Sequence, residues 1–274
     1  MNILEQSQRA GEVVRKKIFL KRRKYSLSRT LPLNALEIRE SDIFLVSYPR
    51  SGNTWMRILL AKLLYPQQDI RSLVELQKFL PDIHFKHFTT RHFSASLPRI
   101  IKSHFPYRTN YRKVIYLVRN PHDSLPSYHK YATNFMGYQG DLKAFIEDCL
   151  YGRIWPCSWK EHVESWTIGR PETEMPLIIR YEDLVADTYT EVAKLCAYIG
   201  LSLSDTAITQ AIQFANKEKV KAITTDEDFF GVELMKNQFV THATVGGWAS
   251  QSSSDVKALI DEKLGPLLQH FNYC

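Results

Sequence analysis

From Asp42 onward, short apolar runs alternate with longer amphipathic stretches, the pattern of strands feeding helices in a mostly parallel sheet. The first run, Ile43-Phe44-Leu45-Val46-Ser47, is cut short by Pro49 and Gly52. Apolar positions Trp55, Ile58, Leu59 and Leu63 then predict a helix over Thr54 to Leu64. A second strand is expected at Arg99 to Lys102 and a third at Val114 to Val118. The third ends in Arg119-Asn120-Pro121, where Asn120 can cap a helix whose first position is Pro121. A fourth strand, Leu177 to Arg180, leads through Tyr181-Glu182-Asp183-Leu184 to a helix from about Thr188 to Ile199, stopped by Gly200. Further helices are expected at Asp205 to Ala215 and Asp255 to His270. The fold class is α/β: a three-layer sandwich with a central, mostly parallel sheet flanked by helices.

Two aromatic- and His-rich stretches, 73–97 and 134–159, fit neither period and read as insertions over the carboxyl edge of the sheet, where loops build substrate pockets. Residues 1–40 form a separate basic arm, with Arg15-Lys16-Lys17 and Lys21-Arg22-Arg23-Lys24 and a helix expected over Glu5 to Lys24. The domain proper spans 41–274. The net charge of +7 suits an acidic partner without choosing one. The arm reads first as a solvated tail and second as a weak contact with an anionic membrane surface; nucleic acid is not expected. Cys149, Cys157, Cys196 and Cys274 lack metal-site spacing, and no apolar stretch reaches the roughly eighteen residues of a membrane span, so a cytoplasmic protein is expected.

The chemistry begins in the first strand–helix loop, Tyr48-Pro49-Arg50-Ser51-Gly52-Asn53-Thr54-Trp55. Free backbone amides and the positive end of the following helix converge there, which makes an anion site. A nucleoside-triphosphate loop would carry Lys directly before its hydroxyl residue. Here Asn53 holds that slot, and the cation, Arg50, precedes the glycine. The architecture is P-loop-like, but an ordinary ATPase or GTPase is disfavoured. The loop resembles the 5'-phosphosulfate loop of the sulfotransferases that use 3'-phosphoadenosine 5'-phosphosulfate (PAPS), whose usual form is Tyr-Pro-Lys-Ser-Gly-Thr-Thr-Trp.

That resemblance extends along residues 42–274. Arg119 and Ser127, eight residues apart after the third strand, match the family's anchors for the donor's 3'-phosphate. Lys102-Ser103-His104-Phe105-Pro106 is similar to its Lys-Thr-His-x-Pro segment, which implies His104 as catalytic base and Lys102, with Arg50, as neutraliser of the transferring group. Ser51, Gly52, Asn53 and Thr54 would cradle the 5'-phosphate. Trp55 and Tyr181 would hold the adenine, with Phe214 as a second wall. Near the C-terminus, Gly246-Gly247-Trp248 keeps the frame of a segment that closes over the 3'-phosphate. Thr241-His242-Ala243 stands where the family has Arg-Lys-Gly, so two cations are missing, with His242 or Lys236 as compensation. No metal is implied. The acceptor is a small molecule, glycan or lipid whose identity, like the oligomeric state, the sequence leaves open. Two alternatives remain: a P-loop nucleotide kinase, which would want Lys at position 53 and a metal-holding Asp, and a non-catalytic polyanion binder without turnover.

Overall fold

The computed structural model describes residues 38–84, 96–224, 245–247 and 251–273. Strand β1 (Ile43–Ser47) is buried along its whole length. Its side chains alternate, with Ile43 and Leu45 entering one apolar cluster and Phe44 and Val46 the other. With β2 (Ile100–Ser103), β3 (Lys113–Val118) and β4 (Leu177–Arg180), it forms a parallel sheet in the order β2-β1-β3-β4. In β3 the same alternation sets Ile115 and Leu117 against Val114, Tyr116 and Val118. Strands apolar on both faces require cover on both, which the helices supply.

Helices α1 (Asn53–Leu64) and α2 (Leu73–Phe79) follow β1. Between β3 and β4 lie α3 (Pro121–Tyr131), α4 (Leu142–Leu150) and α5 (Trp159–Thr167). After β4 come α6 (Tyr181–Ala186), α7 (Thr188–Ile199), α8 (Asp205–Phe214) and α9 (Lys217–Thr224), with α10 (Ser254–His270) near the end. Helices α1, α2 and α6 to α9 pack on one face of the sheet, and α3, α4, α5 and α10 on the other. The three-layer α/β architecture read from the sequence is therefore present.

The expected strands stand within one residue of their observed bounds, and Asn120 caps α3 by accepting the His122 amide at 2.9 Å ahead of Pro121. The two supposed insertions need correction. Residues 73–79 form α2, whose Leu73 and Leu76 belong to the first cluster, and 142–150 form α4, whose Phe145, Ile146 and Cys149 belong to the second. Both are core-building helices, too short for their 3.6-residue period to stand out among the surrounding aromatics. Residues 85–95 lie outside the described part, as do 1–37 of the basic arm. Of the arm's last residues, Ile38 packs on the second cluster and the Arg39 amide donates to Asp42 at 2.7 Å. No described helix is long and apolar enough to cross a membrane.

A buried ion pair closes the amino end of the sheet. Arg99 reaches the two carboxylate oxygens of Asp42 through Nε at 2.6 Å and Nη2 at 2.5 Å, with side chains 6% and 0% exposed. The pair lines up β1 and β2, because the Ile43 amide also donates to the Arg99 carbonyl at 3.0 Å. Removing one partner strands the other charge in the interior. Asp42→Ala is expected to lower the unfolding free energy by about 3–5 kcal/mol, read by urea denaturation, whereas Asp42→Ala combined with Arg99→Met should cost clearly less.

Candidate active site

In this strand order the chain leaves β1 toward β2 on one side, while β3 leads to β4 on the other. The carboxyl ends of β1 and β3 thus flank the crevice where the winding reverses, the usual ligand position in an open parallel sheet. The loop after β1 lies on one side of it, and Arg119, directly after β3, on the other.

The loop turns through two left-handed residues, Arg50 at φ 69° and Gly52 at φ 92°. At Gly52 a Cβ would stand 2.6 Å from the Tyr181 ring, so both conformation and space demand glycine. The turn delivers the chain into α1 at Asn53, leaving the first amides of that helix facing the crevice. Thr54 and Trp55 continue the first turn. Ser51 is fully buried and its hydroxyl has no partner among the described residues. An orphaned hydroxyl in a glycine turn before a helix suits a bound anion.

Arg50 Nε donates to Ser127 Oγ at 3.2 Å across the crevice, joining the loop to α3. Burial, with Arg119 nearby, brings the Arg50 guanidinium down to about 10, still cationic near neutrality. Arg119 Nη1 donates to the Arg50 carbonyl at 3.3 Å, and its guanidinium lies 4.3 Å from the centre of the Tyr181 ring. Tyr181 in turn meets Trp55 edge to face at 5.9 Å. Asp123 Oδ2 lies 3.7 Å from Arg119 Nη2 and accepts the Gly246 amide at 2.7 Å. Thus Arg50, Ser127, Arg119, Tyr181, Trp55 and Gly246, six residues chosen from separate sequence motifs, form one connected set.

The opposite wall holds His104. Its Nδ1 lies 2.7 Å from the Ser47 carbonyl oxygen, which can only accept, so Nδ1 carries the proton and Nε2 keeps its lone pair. Ser47 Oγ accepts from Asn53 Nδ2 at 3.0 Å, so the last residue of β1 ties the imidazole to the phosphate loop. The His104 amide donates to His84 Nε2 at 2.8 Å, and the His104 carbonyl accepts from His162 Nε2 at 3.2 Å. His162 Nδ1 accepts from the Tyr116 hydroxyl at 2.9 Å. Trp155 sets its ring edge-on to those of His84 and His104 at 4.9 and 5.6 Å. Burial is the main cause that depresses all three imidazoles: His84 and His162 fall to about 3, and His104, with Lys102 and His84 adding to the effect, falls well below the ordinary range. Lys102, expected to face the transferring group, places Nζ 2.6 Å from Asp82 Oδ2.

Phe214 is not brought to this set. Its ring sits 4.6 Å from Lys62 Nζ and 4.8 Å from Lys219 Nζ, against the last turn of α1. That is about 14 Å along the helix from Asn53, at a rise of 1.5 Å per residue. Phe214 is the last residue of α8, and its place in the sequence does not reveal which end of α1 that helix covers. His242, Lys236 and Trp248 lie outside the described residues. Sequence reasoning missed Ser47, Asp82 and His84, and gave Asp123 no role although it lies in a quoted motif. An acidic residue in the first turn of a helix beginning at Asn120 was a usable signal for Asp123; nothing local marked the others. Among the described residues, no three His, Cys, Asp or Glu side chains are grouped to hold a metal ion.

A sequence profile described as the sulfotransferase domain matches residues 40–271. The chain belongs to the sulfotransferase family. Among its relatives, the amine sulfotransferase of Oryctolagus cuniculus is 26% identical over 234 residues, covering 79% of this chain and 77% of that protein. Mouse sulfotransferase SULT7A1 complexed with PAP superposes with a TM-score of 0.64 at 22% identity, over 85% of this chain and 86% of that one. Retinol dehydratase in a complex with retinol and PAP gives 0.65 at 19% identity, over 85% and 82%. At these identities the two structures establish a shared fold; the profile establishes the family. This sulfotransferase domain carries a partly buried imidazole, held below its ordinary range, beside the loop that follows β1.

The three depressed imidazoles set an acid limit on stability. Each folded-state pKa lies below the unfolded value near 6.5, so the unfolded chain binds more protons as pH falls. Their contribution is complete above about pH 6.5 and is lost progressively below it. Unfolding free energy measured from pH 8 to pH 4.5 should be flat at first and then fall. His162→Gln, which removes one of the three, should make the acid decline shallower by roughly one proton.

Proposed function

We propose that this enzyme transfers the sulfuryl group of PAPS to a hydroxyl or amine of a small-molecule acceptor, with His104 as general base. The observation that carries this reading is the hydrogen bond from His104 Nδ1 to the Ser47 carbonyl, which presents an unprotonated Nε2 in the crevice shared with the phosphate loop. A hydroxyl acceptor loses its proton to Nε2 as its oxygen bonds sulfur. The sulfur–oxygen bond to the 5'-phosphate then breaks, with its electron pair leaving on the adenosine bisphosphate. The chain supplies position and fixed charge rather than a covalent partner. Arg50, the amides of Gly52 to Thr54 and the orphaned Ser51 hydroxyl face the leaving 5'-phosphate. Arg119 and Ser127 hold the 3'-phosphate, Trp55 and Tyr181 hold the adenine, and Lys102 offsets charge on the sulfuryl group. The PAP bound by SULT7A1 and by retinol dehydratase supports this donor.

The acceptor approaches from the side of His104, past Trp155 and Phe105, so a flat or apolar body beside the reacting group suits the walls. The retinol bound by one neighbour and the amine acceptor named for one relative fall within that class. We assign the protein to the cytosolic type of the family on its motifs, with residues 1–40 as a basic arm outside the catalytic unit.

Calorimetric titration with adenosine 3',5'-bisphosphate, AMP and ATP tests the donor without knowledge of the acceptor. Tighter binding of the bisphosphate is expected, and equal binding of all three would sink the reading. With labelled donor and a panel of phenols, alcohols and amines, His104→Ala should lose about 10²–10⁴-fold in transfer while its bisphosphate affinity stays within about twofold. Arg119→Ala should instead weaken the bisphosphate far more than AMP. Because His104 stays deprotonated to below its ordinary range, the acid limb of kcat/KM should fall below about pH 6.5.

A further inference from the structure

The segment just after α2 runs beside β2 and touches both residues assigned to the acceptor side of the reaction. The Lys102 amide donates to the Pro81 carbonyl at 2.7 Å, and the Ile83 amide donates to the Lys102 carbonyl at 3.0 Å, pairing Asp82 with Lys102 in parallel register. Asp82 is held from its own side too. Its amide donates to Gln77 Oε1 at 2.7 Å, and its Oδ1 accepts the His84 amide at 3.0 Å. The remaining oxygen, Oδ2, takes the Lys102 ammonium at 2.6 Å, with side chains 10% and 13% exposed. Two residues further on, His84 Nε2 accepts the His104 amide. Arg57 donates to the Leu80 carbonyl and so pins the start of the segment to α1.

We propose that Asp82 and His84 are positioning residues of the sulfuryl transfer, Asp82 fixing the ammonium of Lys102 and His84 fixing the backbone of His104. The inference rests on the roles given to Lys102 and His104 above. A lysine at this depth is not held in its charged form by solvent. The charged and titratable groups facing it are Asp82, Arg57, His84 and His104. Burial lowers Lys102, the Asp82 carboxylate raises it and Arg57 lowers it again. Asp82 is thus the group opposing loss of the Lys102 proton. The same carboxylate restricts a side chain that otherwise has four rotatable bonds. His84 acts on geometry alone: with its proton on Nδ1, it is a fixed acceptor that sets where the His104 backbone, and hence Nε2, stands.

The test uses the full chain with ¹³C-labelled lysine, the Lys102 signal being assigned by its absence in Lys102→Arg. Asp82→Asn should lower the titration midpoint of Lys102 by about one pH unit or more, with bisphosphate affinity within about twofold of the parent. The alkaline limb of the transfer rate should move down by the same amount. In Asp82→Asn combined with Lys102→Arg, whose guanidinium does not titrate in this range, that shifted limb should vanish. His84→Ala should speed exchange of the His104 amide by about tenfold or more and lower kcat without weakening bisphosphate binding. An unchanged Lys102 midpoint in Asp82→Asn overturns the assignment of Asp82, and unchanged exchange with unchanged kcat in His84→Ala overturns that of His84. Should Asp82→Asn fail to fold, Asp82→Glu keeps the charge but displaces the ammonium: a parent-like midpoint with kcat down about tenfold is expected, and parent-like kcat overturns positioning. A parent protein that binds the bisphosphate no better than AMP sinks the donor reading instead, while the lysine titration still reports on the pair.

Discussion

Two hydrogen bonds at Ser47 hold the site together. Its carbonyl accepts from His104 and its hydroxyl from Asn53, so one residue at the end of the central strand fixes both the proposed base and the start of α1. This works only because the strands are in register. Val46 pairs with Ser103, which places His104 beside Ser47, and Ser47 pairs with Leu117, which places Arg119 two residues beyond. A slip of one residue would turn every side chain in β1 to the other face and exchange the two halves of the core. The apolar alternation that makes the fold therefore also sets the distance between His104 and the loop after β1.

The electrostatics follow from burial. Imidazoles taken out of water lose their protons, so His104 is neutral near pH 7 even with the Asp82 carboxylate opposing the shift, as the proposed base must be. Guanidinium groups taken out of water keep theirs, which leaves Arg50 as a charge but not as a proton source. One low-dielectric crevice thus divides the work between a neutral acceptor of protons and fixed cations. The tautomer of each histidine is dictated by a carbonyl or amide opposite it, so the hydrogen-bond frame chooses which nitrogen is available before any ligand arrives.

Much of this was legible in the sequence, because it depends on short-range pattern. Strand positions followed from β-period apolar runs, the phosphate loop from Pro49 and Gly52 between strand and helix, and the cap at Asn120 from the proline after it. The family frame then placed His104 and Arg119 directly after β2 and β3 and Ser127 on the helix that follows, and these are their positions in the structure. What escaped the sequence is pairing over distance. Lys102 looked like a free cation because its partner Asp82 lies twenty residues earlier, beyond any helical or strand period. His84 sat in a stretch read as an irregular insertion, although α2 immediately before it is packed in the core. Phe214 is matched to the adenine by the resemblance alone, whereas its location depends on where α8 crosses α1.

The arginine side of the crevice brings two guanidinium groups into one partly desolvated region. Arg119 is buried, and the Arg50 guanidinium is lowered by its own desolvation and further by Arg119. The carboxylate beside them, Asp123, stands at 3.7 Å from Arg119 and also takes the Gly246 amide, so it orients Arg119 more than it neutralises two guanidinium groups. The Tyr181 ring beneath Arg119 adds attraction without adding an anion. A phosphate placed between the two arginines would meet both guanidinium groups and the Ser51 hydroxyl, which has no partner among the described residues. On the proposed reading, like charges close together and a hydroxyl with no partner among the described residues, at a left-handed turn, are the features that would give an anion its affinity.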